Sequence, residues 1–145
     1  MAKPQIYILL GANHNMLGDR EPNLYGTQTI SDVENLCRSE AKELGCNIEF
    51  RQSNHEGHLI DWLQEADNKA QGVVLNASAF SRTSLVLQST VSAMAVPVIE
   101  VHTTNIYQRD DRPPSQLTCV AVGIICGFGP NVYRLGMHAV RNLMD

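Results

Sequence analysis

GVVLNASAFSRTSLVLQSTVSAMAVPVIEV, residues 72–101, holds two short apolar runs with a helix-period segment between them. Gly72–Leu75 reads as a strand whose composition suits burial on both faces. Thr83–Met94 reads as a helix, and Val98–Val101, opened by Pro97, as the next strand. Strand, helix, strand in that order is the signature of a right-handed crossover between parallel neighbours. The alternation continues in both directions. Upstream, Ile6–Leu10 and Asn47–Arg51 read as strands. Between them Thr29–Leu44 carries Ile30, Val33, Leu36, Cys37, Ala41 and Leu44 on one helical face. Ser31-x-x-Glu34 offers a capping box near its start and Gly45 a stop. Leu59, Ile60, Leu63 and Ala66 stripe a second helix. Downstream, Cys119–Ile125 reads as a fifth strand, and Asn131–Met144 as a closing helix with Val132, Leu135, Ala139 and Leu143 inward.

Five strands alternating with four helices predict an α/β fold, a parallel sheet covered on both faces. For 145 residues the natural candidate is a flavodoxin-like, doubly wound sheet of order 2-1-3-4-5, with residues 1–145 forming a single domain. Ligands in such sheets bind beyond the carboxyl ends of the strands, near the switch point between strands one and three. Composition agrees: 43% hydrophobic residues supply a core, and 18% charged residues argue against disorder. A formal charge of -4 speaks against a nucleic-acid binder that relies on bulk positive charge. Of the basic residues eight are Arg and three are Lys, so Arg in loops marks places where a carboxylate could be held. Cys37, Cys46, Cys119 and Cys126 lack CxxC spacing and read as buried or half-buried thiols. Without a leader-like N-terminus or an apolar run of about 20 residues, the expected setting is the cytoplasm, away from membranes.

Two connections are too long to be turns, and both follow strand carboxyl ends. The first, GANHNMLGDREPNLYGTQ (11–28), offers Asn13, Arg20 and Tyr25. Arg20 beside Tyr25 would favour the phenolate and make it a usable base; alternatively Tyr25 packs on the first helix and Arg20 is solvated. The second, HTTNIYQRDDRPPSQLT (102–118), follows Glu100-Val101-His102. A period of two puts Glu100 and His102 on one side of the strand, where the carboxylate could orient the imidazole as a proton donor, or the two could form a plain surface pair. Thr103 and Thr104 bring backbone N–H groups suited to an anionic oxygen, with Arg109 and Arg112 adding positive charge nearby or simply pairing with Asp110 and Asp111. Asn76 closes the third strand, ahead of Ser81 and Arg82, as a ligand contact or a turn cap. His55, His58 and His138 form no ligand set, and no metal is expected. Gly123–Gly129 lacks the spacing of a phosphate loop and reads as a close-packed strand end.

Three stretches together resemble the type II 3-dehydroquinate dehydratases: Leu17-Gly-Asp-Arg-Glu-Pro-Asn-Leu-Tyr-Gly26, Phe50-Arg-Gln-Ser-Asn-His-Glu-Gly-His-Leu-Ile-Asp61 and Glu100-Val-His-Thr-Thr-Asn-Ile106. The resemblance runs from Ile6 to about Leu143. It implies dehydration of 3-dehydroquinate to 3-dehydroshikimate through an enolate, without metal or cofactor. Carried over position by position, Tyr25 is similar to the base and Arg20 to its activator. Asn13 is similar to the residue that holds a water on the enolate oxygen, and His102, oriented by Glu100, to the acid. Asn76, Thr103, Thr104 and Arg112 are similar to substrate-binding positions. The family's assembly is a dodecamer built from trimers, which implies a homo-oligomer acting on a small carboxylate. Arg82 stands where the family has a substrate-contacting His, and Ser89 where it has an Asp that reaches a neighbouring subunit's site. Those two changes support a second reading, a diverged paralogue for a different hydroxy-keto carboxylate. A third reading, a non-catalytic receiver or flavin carrier, lacks the acidic pair or the phosphate loop that it needs after strand one.

Overall fold

The computed structural model describes residues 2–19, 23, 26–108, 111 and 113–144. Its five strands are β1 (Gln5–Leu10), β2 (Asn47–Gln52), β3 (Gly72–Asn76), β4 (Val98–His102) and β5 (Gly123–Cys126). All pair in parallel in the order β2-β1-β3-β4-β5, the order expected. The helices are α1 (Ile30–Leu44), α2 (Glu56–Lys69), the single turn α3 (Phe80–Thr83), α4 (Leu85–Ala93) and α5 (Asn131–Leu143). Side chains alternate across the sheet, so the strands build two cores. On one face Ile6, Ile8, Leu10, Val74, Ile99 and Val101 meet Val33 and Cys37 of α1 and Val132, Met137 and Val140 of α5. On the other, Tyr7, Leu9, Val73, Leu75 and Val98 meet Leu59 and Leu63 of α2, Leu87 and Val91 of α4, and Leu117.

Several local expectations shift. The capping box of α1 is Thr29 with Asp32, two residues before the Ser31–Glu34 pair, because the backbone is still extended at Thr29 and its hydroxyl accepts the Asp32 N–H. The helix expected over Thr83–Met94 is broken at Ser84, whose hydroxyl caps α4 by accepting from Leu87 N. The fifth strand starts at Gly123 and not at Cys119, since Val120 and Ala121 turn back to donate to Leu117 O. On α5 the inward stripe is Val132, Tyr133, Gly136, Met137 and Val140, and Leu135 and Leu143 point out to solvent. Cys119, expected at least half-buried, is exposed. Among the described residues no helix is long and apolar enough to cross a membrane.

Candidate active site

Parallel pairing brings the carboxyl ends of β1, β3 and β4 side by side: Leu10 pairs with Asn76, and Leu75 with Glu100. Gly11 N donates to Asn76 O at 2.8 Å, tying the first two ends together. A Cβ at Gly11 would lie 2.4 Å from Ala77 O, so this crossing admits only glycine. The chain then turns through Asn13, which takes a left-handed conformation (φ 71°). Three side chains hold this turn. Asn54 Oδ1 accepts from Asn13 N (2.9 Å), Gln52 Nε2 donates to Gly11 O (3.2 Å), and the buried His14 ring sits 3.1 Å from the same carbonyl. The Arg-Gln-Ser-Asn-His run therefore has a physical role that its sequence did not reveal: Gln52 and Asn54 shape the first loop, while Ser53 Oγ accepts from His55 N and contacts His58 Nδ1 at the start of α2.

Asn76 leaves β3 on the α5 face. Its Nδ2 donates to the fully buried Tyr133 hydroxyl (2.9 Å) and its Oδ1 accepts from Ser78 N (3.2 Å). Both ends of the amide are engaged, which fixes its orientation. It is a turn cap as well as a candidate contact. Tyr133 stays neutral, its phenol pushed up by burial.

Glu100 and His102 leave β4 on the opposite face, both buried, with His102 Nε2 2.6 Å from Glu100 Oε2. This is an interior pair and not a surface one. Ser115 and Thr118, from the second long loop, also donate to the carboxylate. Burial by itself would raise the Glu100 carboxyl, but the hydrogen bonds from His102, Ser115 and Thr118 outweigh it and hold the group below its ordinary value. Because the carboxylate is ionised, Nε2 must be the donor and Nδ1 is the ring nitrogen left for a ligand. A depressed carboxyl stabilises the fold above its ordinary value of 4.5, and that contribution is lost as pH falls through the lower folded value. The thermal midpoint of the wild type is expected to fall more steeply between about pH 5 and about pH 3 than that of Glu100→Gln, measured by circular dichroism.

Beyond His102 the chain opens at Thr103 and Thr104, both half-buried. Gly127 N donates to His102 O (3.2 Å) and Gly129 N to Thr103 O (2.9 Å). Gly127 has φ 95° and its missing side chain leaves room for Asn105, 3.3 Å from where a Cβ would be. The glycine-rich strand end thus anchors the loop expected to hold an anion. Arg82 lies half-buried on α3, after Asn76, and Gln116 N donates to Ser81 O (2.6 Å), placing the second loop against this turn. Ser89 is not brought to the cluster; it is exposed and lines a surface groove with Gln64, Asp67 and Thr90. Arg20, Tyr25, Arg109 and Arg112 lie outside the described residues. Sequence reasoning missed Ser115 and Thr118, which lie in a loop and carry no periodic signal, and Tyr133, whose helical face was assigned outward.

With this geometry in place, the comparisons with known proteins are specific. The family model described as Dehydroquinase class II matches residues 4–141. A 3-dehydroquinate dehydratase of Rhizobium johnstonii is 48% identical over 139 residues, 95% of this chain and 96% of that one. One from Rhizobium meliloti is 46% identical over 141 residues, covering 97% and 95%. The crystal structure of the type II dehydroquinase from Propionibacterium acnes is similar with a TM-score of 0.92 at 33% identity, over 98% of each chain.

Proposed function

This chain belongs to the class II dehydroquinase family, and we propose from that premise that the polar residues beyond the carboxyl ends of its strands carry out the family's reaction by the route below. The enzyme is a hydro-lyase that dehydrates 3-dehydroquinate to 3-dehydroshikimate. In the proposed route, Tyr25, with its phenol acidified by Arg20, removes a proton from the carbon beside the ketone. The electron pair moves onto the ketone oxygen, and a water held by Asn13 steadies that enolate. Collapse of the enolate expels the β-hydroxyl, which His102 protonates from Nδ1, so water leaves and the conjugated enone remains. Thr103 and Thr104 receive the substrate carboxylate on backbone N–H groups, helped by Arg112. Asn76 and Arg82 face the substrate hydroxyls, and Ser89 takes part only from a neighbouring copy. Every proton and electron pair is handled by side chains of this chain and the substrate.

One observation supports this reading above the others: a buried, ionised Glu100 holds His102 Nε2 at 2.6 Å at the carboxyl end of β4. The cytoplasm and a trimer-based homo-oligomer, up to a dodecamer, belong to the same proposal. Leu85, Val86, Val122 and Phe128 support it, since each is more than half exposed and offers apolar surface that other copies would cover. The test follows enone absorbance with 3-dehydroquinate as substrate. Tyr25→Phe is expected to lower kcat about 100- to 10,000-fold, and unchanged turnover would remove Tyr25 as the base. A native mass measurement on the same sample reads the assembly.

A further inference from the structure

A strand of alternating residues gives Glu100 one obvious partner, yet three donors converge on it. His102 Nε2 and Ser115 Oγ lie 2.6 and 2.5 Å from Oε2, and Thr118 Oγ1 lies 2.7 Å from Oε1. A hydroxyl has a single proton to give. Ser115 commits its proton to Oε2 and accepts from Leu117 N. Thr118 commits its own to Oε1, so its 2.6 Å contact with Tyr107 Oη must be donated by the phenol. Tyr107, Thr118 and Glu100 thus form a chain in which every hydrogen points toward the carboxylate, and it ends on the oxygen that His102 does not use.

We propose that Thr118, backed by Tyr107, is a positioning residue that aims the Glu100 carboxylate at His102 and keeps it from taking the imidazole's proton. Two physical effects support this. Anchoring Oε1 stops the carboxylate from rotating, so Oε2 stays in line with Nε2. Hydroxyl donors also spread the negative charge and make the carboxylate a weaker base, so the imidazolium keeps its proton for the ligand side. Ser115 shares in spreading the charge, but it sits on Oε2 beside His102, and the anchor on Oε1 comes from Thr118. Among the described residues the titratable groups facing Glu100 are His102 on its own strand, Tyr107 through Thr118, and Cys126 on β5, whose thiol is raised mainly by burial, with the Glu100 charge adding to it. The inference rests on His102 being the acid of the proposed reaction.

Thr118→Val keeps the shape and removes the hydroxyl, Thr118→Ser restores it, and Tyr107→Phe removes only the outer donor. Two readouts are compared: the kcat profile against pH with 3-dehydroquinate, and the 15N resonances of the His102 ring in the unliganded protein, which sense protonation of Glu100. In Thr118→Val the low-pH inflection of both is expected to move up by about one to two pH units, with kcat down about tenfold and KM within about twofold. Thr118→Ser is expected to return both to the wild-type values, and Tyr107→Phe to shift them less in the same direction. An unmoved 15N inflection in Thr118→Val overturns the proposal, as does a loss of kcat that Thr118→Ser fails to recover. A wild-type protein with no turnover overturns the reading of His102 instead, since the 15N titration needs no substrate.

Discussion

His102→Ala is expected to lower kcat on 3-dehydroquinate about 100- to 10,000-fold, the range for loss of a positioned acid. KM should change far less, because the carboxylate cradle proposed at Thr103 and Thr104 would be built from backbone. The variant should still fold. Glu100 keeps two of its three donors, Ser115 and Thr118, so the buried charge is not stranded. The structural cost is that of one charged hydrogen bond, about 1.5–3 kcal/mol, which thermal unfolding would register as a fall in Tm of about 3–12 °C. Added imidazole separates chemistry from structure. It should recover part of the rate in His102→Ala, where the ring's space is open, and none in His102→Phe, where that space is filled. A His102→Ala enzyme with near wild-type kcat would leave the departing hydroxyl without the proton donor assigned to it.

Gly11→Ala is expected to act first on stability. The added carbon would sit 2.4 Å from Ala77 O and 2.7 Å from its carbonyl carbon. Neither side can yield easily, because Gly11 N is bonded to Asn76 O at 2.8 Å and Ser53 N to Leu10 O at 3.0 Å. Overpacking typically costs about 1–3 kcal/mol, and a clash with pinned backbone belongs at the upper end. For a chain of this size that corresponds to a fall in Tm of about 6–12 °C. Activity should fall with it. Asn13 is only two residues on, and displacements near 1 Å can cost about 100-fold in rate. Calorimetry together with the enone assay checks both halves; an unchanged Tm would mean that the two strand ends separate without cost.

The sheet was largely legible because β1, β3 and β4 are buried runs whose composition differs sharply from the flanking loops, and β2 sets Ile48 and Phe50 against the core at a period of two. The start of β5 was not, because Cys119–Val122 is as apolar as the strand it precedes; these residues instead follow Leu117, which plugs the core. The inward face of α5 was misjudged for a related reason. Tyr133 and Gly136 do not read as core residues, yet the Tyr133 hydroxyl is satisfied by Asn76, and Gly136 lets the helix approach Val74 and Val101. Of the site, Glu100 and His102 were visible as a pair because they are two apart on a strand. Ser115 and Thr118 were hidden, since they reach the same carboxylate from 15 and 18 residues away and hydroxyls in a loop form no pattern. The bonds from Gln52 and Asn54 to the first loop span 41 residues and were equally invisible.

The bonds from Gly127 to His102 and from Gly129 to Thr103 bear on the order in which the molecule matures. A chain made from its N-terminus can pair β1 with β2 and β3 early, because those segments emerge first. The carbonyls of His102 and Thr103, where that loop begins, lack these two bonds until residues 127–129 have been made. α5, which covers one face of β1, β3 and β4, comes later still. Such long-range parallel contacts form slowly. The nascent protein therefore passes through a stage in which the sheet exists but the chemistry does not, with an apolar face open to solvent. A stop codon that removes only α5 would leave it there, with all of its proposed catalytic residues present and the framework that positions them unfinished.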